Sequence, residues 1–287
     1  METLSNIQVN HQVKHRFFDN LNVGNHVLSV YIGRDEISYA IINDDDRVVV
    51  FLKSYRLRDI NNFFAYKLLV KECLEQEELF QKEFKKINVS VNAADFTLVP
   101  KDFFDSKKME EYYRFNHNTE GNIELFFDLI DEPKIVNVFG VESYLLDTFE
   151  SILGIFDIKH SQSHLIHEIL KTSSMNEGRK IYINLQRNHV DIIGTYRYKL
   201  LIANSYRYDS PEHLLYQTLN AAKQIGFDFE NDTCVLIGDV SPDDKTYQLY
   251  SKYIQHLEFG KRPSTVQYCS ELDVIPSHYH YNLFCIS

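Results

Sequence analysis

A run of three strands followed by a helix occurs twice in this chain, and that repetition constrains the fold more than any other feature. In the first copy HVLSVYIG (26–33), EISYAIIN (36–43) and RVVVFLKSY (47–55) alternate or run apolar. They read as strands joined by tight turns at Gly33-Arg34-Asp35 and Asp44-Asp45-Asp46. Residues 61–84 follow in a helical pattern, with Phe64, Leu68 and Cys73 spaced to lie on one side. The second copy places strands at 180–186, 189–196 and 199–206, then a helix from Pro211 to Ile225. That helix has a marked start, with Asp209 or Ser210 as N-cap and Pro211 in its first position. Leu215, Leu219 and Ala222 give it a core face. Identity between the copies is negligible, so the duplication is one of topology.

The remaining segments fit around these copies. Strands are expected at 86–91 and 95–99, the latter ended by Pro100, with a charged helix near 105–115. IELFFDLI (123–130) and KIVNVFGV (134–141) read as strands, followed by a helix over 142–152. After Gly154 a short strand, IFDIK, leads to a helix at 161–173. TCVLIGDV (233–240) is a buried strand running into a turn. The polar stretch TSSMNEG (172–178) is the natural linker, and residues 1–25 read as a loosely held polar arm. The expected division is therefore an arm (1–25), a first half with an insertion (26–177), a second half (178–260) and a C-terminal segment (261–287) packing back on the first half.

Glycine is scarce: 10 in 287 residues, about half the usual ~7%. No G-x-G, G-G or G-K-[ST] occurs, although triphosphate cradles need glycine so that backbone N–H groups can approach the phosphates. A net charge of −11 disfavours nucleic acid and anionic membrane surfaces as partners. No run approaches the roughly 20 apolar residues of a membrane span, and the N-terminus lacks a signal-peptide core, so a cytoplasmic location is expected. Cys73, Cys234, Cys269 and Cys285 are scattered and form no C-x-x-C pair, which fits reduced, buried thiols.

Over most of its length, and most strongly from Lys180 to Arg262 through INLQRNHVDIIG, YDSPEHLLYQTLNAAKQIGFD and the IGDV turn, the chain resembles the DUF3822 family of uncharacterised bacterial proteins. The resemblance implies an α/β fold of duplicated actin-like ATPase (ribonuclease H-like) halves, each a mixed sheet with flanking helices around a central cleft. Nucleotide-binding relatives of that fold carry an aspartate in the first hairpin, where this chain has Tyr31 and keeps only Gly33. Their second phosphate loop, Asp-x-Gly-Gly-Gly-Thr, corresponds to Asn184-Leu185-Gln186-Arg187-Asn188-His189, with Asp191 following. The turn beneath the adenosine, usually two glycines, reads Gly238-Asp239, and a helix that often begins Glu-Pro here begins His160-Ser161. In-line phosphoryl transfer needs positioned Mg²⁺ and phosphate, so the resemblance implies a degenerate, non-hydrolytic cleft.

Other clusters have plainer readings. His160, His164 and His167 share a helical face opposite Leu165, Ile166, Ile169 and Leu170; a metal site there would need a further ligand from elsewhere. His278 and His280 lie on one side if that segment is a strand. Asp44-Asp45-Asp46 suits a hairpin turn, and Asp243-Asp244 a helix start. YRYKLLIANSYRY (196–208) sets Tyr beside Arg, residues enriched at protein interfaces but also at home on half-buried sheets. The expectation is a non-catalytic interaction or scaffold module with no cofactor and another protein as partner. The alternative is a residual ATP/Mg-binding protein or slow phosphotransferase, using Asp191 or Asp239 with Mg²⁺ and Arg187 or His189 at the phosphates. A metal-dependent hydrolase on the His160–His167 face is a third reading.

Overall fold

The computed structural model describes residues 6–19, 22–93, 95–117, 121–173 and 178–286. The chain divides into two compact units. The first holds the described residues as far as His164, with Ser264–Val274 and the chain end from Leu283; the second holds Leu165–Pro263 and Ile275–Asn282.

In the first unit the strands are β1 (Ile7–Lys14), β2 (His26–Ile32), β3 (Glu36–Asn43), β4 (Val48–Leu57), β5 (Lys86–Val91), β6 (Phe96–Pro100), β7 (Ile123–Ile130), β8 (Ile135–Glu142) and β9 (Asp157–His160). Its helices are α1 (Phe63–Glu75), α2 (Met109–Asn116) and α3 (Ser143–Leu153). Helix α4 (Ser161–Ser173) carries the chain into the second unit. There follow β10 (Arg179–Leu185), β11 (His189–Tyr196), β12 (Lys199–Arg207), α5 (Pro211–Gln224), β13 (Thr233–Gly238), α6 (Lys245–Tyr250) and β14 (His256–Phe259). A two-residue strand β15 (Gln267–Tyr268) returns to pair with β4, and a single turn α7 (Tyr281–Phe284) lies near the end.

The duplication expected from the strand pattern is present in the hydrogen bonding. The first unit orders its main sheet β1-β4-β3-β2-β5-β9, and the second orders its sheet β12-β11-β10-β13-β14. In each, the first strand pairs antiparallel with the second and the second with the third. The first then pairs parallel with a fourth, and the fourth parallel with a fifth. The insertion between β5 and β9 builds a separate three-stranded sheet, β6-β8-β7.

Each unit has its own core, built by the period-two and period-3.6 patterns of its elements. Leu28, Val30 and Ile32 of β2 pack with Tyr39, Phe51, Val70, Cys73 and Phe149. Ile181, Ile183 and Leu185 of β10 pack with Leu214, Leu215, Ala221 and Ala222 of α5. Ser210 caps α5 as anticipated, its hydroxyl accepting from the His213 amide at 3.2 Å. All four cysteines are free and buried; burial pushes the Cys73 thiol up to about 12 and that of Cys234 higher still.

Three expectations are corrected. Part of the segment read as a loose arm is β1, an eight-residue strand whose mostly exposed polar side chains conceal its backbone pairing with β4. Helix α1 ends at Glu75 and buries Leu69, Val70, Cys73 and Leu74, whereas Phe64 and Leu68 are exposed. Its apolar residues run around most of the surface, so spacing alone selected the wrong stripe. Residues 277–280 form turns and not a strand, so His278 and His280 do not alternate on a sheet. The central part of the TSSMNEG linker, 174–177, lies outside the described residues.

Candidate functional site

The β10–β11 hairpin of the second unit collects most of the polar residues singled out from the sequence. Because Ile183 and Leu185 of β10 point into the core, strand alternation turns Asn184 to the opposite face. Asn184 pairs across the ladder with Asp191, which in turn pairs with Ser205 of β12. Asp191 is 2% exposed and its carboxylate is engaged by three side-chain donors. Oδ2 accepts from Asn184 Nδ2 at 2.9 Å and from Gln186 Nε2 at 3.0 Å, while the Ser205 hydroxyl donates to Oδ1. Asn184 Nδ2 also donates to Asn282 Oδ1 at 3.0 Å, tying the hairpin to the C-terminal segment of the same unit.

The turn itself is equally occupied. The Gln186 amide donates to His189 O at 2.9 Å, leaving a two-residue loop of exposed Arg187 and Asn188. Tyr208 closes it from the end of β12: its amide donates to Asn188 O at 3.0 Å and its hydroxyl to Gln186 O. Arg207 Nε donates to His189 Nε2 at 3.2 Å. Gly238, at the end of β13, pairs in register with Leu185, and its φ of +96° leads the chain into exposed Asp239. The Gly238 amide donates to His278 O at 2.9 Å, and the His278 ring donates from Nε2 to Val240 O at 2.7 Å. Burial holds His278 below the usual histidine range, so it serves as a neutral clasp stacked on Phe259.

The first unit repeats this design with different residues. Tyr31 pairs with Ser38, and Ser38 with Ser54, so Tyr31 stands where Asn184 stands in the second unit, one residue before the last ladder pair. Its ring is 3% exposed, and Asn92 Nδ2 donates to its hydroxyl at 3.3 Å. The neighbours across both adjacent strands are serines, Ser38 and Ser90, which leave room for a large ring. That ring lies over Gly33, where an added Cβ would come within 2.9 Å of it. The Gly33 amide donates to Glu36 O at 2.7 Å, and Tyr66 of α1 donates its hydroxyl to Gly33 O at 2.8 Å. In each unit a tyrosine hydroxyl therefore binds the carbonyl at the start of the first hairpin turn.

These contacts define what the residues can do. Three donors occupy most of the roughly four lone-pair sites of the Asp191 carboxylate, so a metal ion would compete with them. Asp191→Ala, which strands Asn184, Gln186 and Ser205, is expected to cost about 2–3 kcal/mol, read as a lower urea midpoint.

A family model described as a protein of unknown function, DUF3822, matches residues 14–257. The chain belongs to the DUF3822 family. Among solved structures it is similar to a Bacteroides thetaiotaomicron protein described as having an actin-like ATPase fold and unknown function. The two are 20% identical with a TM-score of 0.75, over 85% of this chain and 94% of that one. It is also similar to a structure of the PilM-PilN type IV pilus biogenesis complex, at 13% identity and a TM-score of 0.58, over 91% of this chain and 97% of that one. No curated protein matches the chain. At these identities the likeness shows the fold, which is that of the actin-like ATPases.

In this DUF3822 chain the histidine face does not form as its spacing suggests. His160 ends β9 and is 1% exposed, with Phe96 and Phe139 against its ring. Its Nδ1 accepts from the Gln162 amide at 3.0 Å and its Nε2 donates to Ala93 O at 3.2 Å, so both ring nitrogens are committed. His164 is half-buried and His167 exposed. Among the described residues no group of three or more His, Cys, Asp or Glu could hold a metal ion. Asp44, Asp45 and Asp46 do make a turn: Asp44 bridges to Lys85, Asp45 accepts from Asn25 and Asp46 from the Val48 amide. Tyr66, Tyr208, Ser205 and Asn282 were not anticipated; each is distant in sequence from the turn or carboxylate it serves, and no local pattern marks it.

Proposed function

We propose that this DUF3822 protein is a non-catalytic interaction module on an actin-like ATPase fold, acting in the cytoplasm through another protein. The observation that carries the reading is the internal use of Asp191 by Asn184, Gln186 and Ser205. In the resemblance this hairpin corresponds to the second phosphate loop, and here its carboxylate is held by side chains and its turn carbonyls by the Tyr208 hydroxyl and by backbone amides. Tyr31 folded over Gly33 supports the same reading for the other hairpin. These residues do not fit MgATP, so no chemical step is routed through it. That one similar fold was solved as a complex of PilM with PilN adds support by analogy of fold alone. Among the described residues no helix is long and apolar enough to cross a membrane.

The test is calorimetric titration of the full chain with MgATP. No heat at millimolar nucleotide is the expected result. Micromolar, Mg²⁺-dependent binding that disappears in Asp191→Ala would overturn the reading in favour of a residual nucleotide site.

A further inference from the structure

The β10–β12 region carries a charge opposite to the rest of the protein. Between Arg179 and Tyr208 there are six Lys or Arg and a single acid, Asp191, in a chain whose net charge is −11. Asp191 is buried, so between Arg179 and Tyr208 no acid is exposed. Among the described residues none of the six cations joins a salt bridge, while most ion pairs of the protein lie in the first unit. Two of the guanidiniums, Arg179 and Arg197, instead lie over the ring of Tyr196, at 4.9 and 5.2 Å.

Strand β12 is the edge of this sheet: it pairs with β11, and among the described residues no strand pairs with its other side. It is nine residues long, about 30 Å of backbone at ~3.3 Å per residue, with a register shift against β11 at Leu201 and a regular run from Ile202 to Arg207. Cations stand at both of its ends, Lys199 and Arg207, and both are exposed. Beside Lys199, Tyr198 is 64% and Leu201 40% exposed, offering apolar contact next to charge.

An edge of this kind invites a strand, and its charges select which one. Antiparallel pairing with a second copy centred on Ala203 would set Lys199 opposite Arg207 at both ends, a repulsive arrangement. Resting on the interaction reading above, we propose that β12 is a docking edge for an extended acidic segment of a partner protein, which adds a sixth strand to this sheet. Main-chain pairing supplies the affinity, and carboxylates meeting Lys199 and Arg207 supply register and selectivity.

The experiment titrates the full chain with a pool of fluorescent nonapeptides alternating Glu with Val, Thr or Tyr, at low salt, by anisotropy. Hydrogen exchange is followed on β12 amides, and a control pool carries the same charges but Pro at alternate positions. Expected are members binding at about 10 µM or tighter, slower exchange along Lys199–Arg207, and at least a tenfold loss in Lys199→Glu/Arg207→Glu, with the single variant Lys199→Glu, which spares the Arg207–His189 bond, losing binding in the same direction. Equal binding of the Pro-containing pool would reduce the contact to charge alone and overturn strand addition. Tighter binding of a single-stranded oligonucleotide, or dimerisation that protects β12 without peptide, would overturn the choice of occupant. If no member binds, the docking edge is rejected. MgATP binding in the calorimetric test would end the non-catalytic reading and leave this result to stand on its own.

Discussion

Gly238→Ala is expected to destabilise the protein by at least about 4 kcal/mol, whereas Gly154→Ala should cost only about 1 kcal/mol. Both glycines have positive φ, +96° and +72°, so both substitutions pay for a conformation that L-residues avoid. Their surroundings differ. A Cβ at Gly154 meets no heavy atom within 4 Å. At Gly238 it would lie 2.1 Å from Leu185 O and 3.0 Å from Leu185 C. Those are backbone atoms of the neighbouring strand and have no rotamer in which to escape. The end of β13 would have to part from β10, and with it would go the hydrogen bond that the Gly238 amide donates to His278 O and the turn that the His278 ring holds. Urea denaturation of both variants checks this, with the difference appearing in the midpoint at constant m-value. A loss at Gly238 no larger than at Gly154 would show that β13 yields freely. The functional corollary is that a glycine at this turn is required by strand packing, and its presence says nothing about an adenosine.

How much of this was legible beforehand follows from which interactions are local. The two βββα runs could be read because period-two alternation and the Ser210-Pro211 cap are properties of contiguous residues. The family resemblance added the expectation of two mixed sheets, while their strand order is set by pairings between distant residues. Asn184, Gln186 and Asp191 were named together because they lie within one hairpin; that they neutralise one another was not visible, since Ser205 and Asn282 join them only through the fold. β1 was missed because its stabilisation is backbone pairing, which leaves no trace in polar side chains such as Gln8, Asn10 and Gln12. His160 does not share the helical angles of His164 and His167 because it ends a strand, a boundary the i, i+4, i+7 spacing does not reveal. Its ring is held by Ala93 and by two phenylalanines far away in sequence. The equivalence of Tyr31 and Asn184 needed ladder registers, which two unrelated sequences do not reveal.

The second large effect is a pH dependence hidden by compensation between Asp128 and His160. The Asp128 carboxylate accepts from the His160 amide at 2.8 Å, and burial raises its pKa to about 6, against the opposing bonds from Ser163 and that amide. Burial lowers the His160 ring to about 3, opposed by its bond to Ala93 O. The two linkages have opposite signs. Between about 4 and 6 native Asp128 keeps a proton that the unfolded chain has released, so stability falls as pH rises, by about 3 kcal/mol in all. Between 6.5 and about 3 the unfolded chain protonates His160 while the native protein refuses the proton, so stability falls as pH drops, by about 5 kcal/mol in all. From pH 6 to 4 each contributes roughly one proton, and their slopes cancel. Asp128→Asn keeps an acceptor for the His160 amide and removes one slope. It should gain up to about 3 kcal/mol at pH 7, then lose about 1.4 kcal/mol per pH unit more than the parent on going from pH 6 to 4. His160→Asn keeps an acceptor for the Gln162 amide; it should be less stable at pH 7, through lost packing on Phe96 and Phe139, yet show the reverse slope, gaining stability over the same interval relative to the parent. Urea midpoints at half-unit steps from pH 4 to 7 read both variants against the same background of other groups. Parallel profiles for Asp128→Asn and the parent would mean that Asp128 is already ionised at pH 4 in the folded protein, and that the His160 amide is held by a charged acceptor, not by a neutral carboxyl.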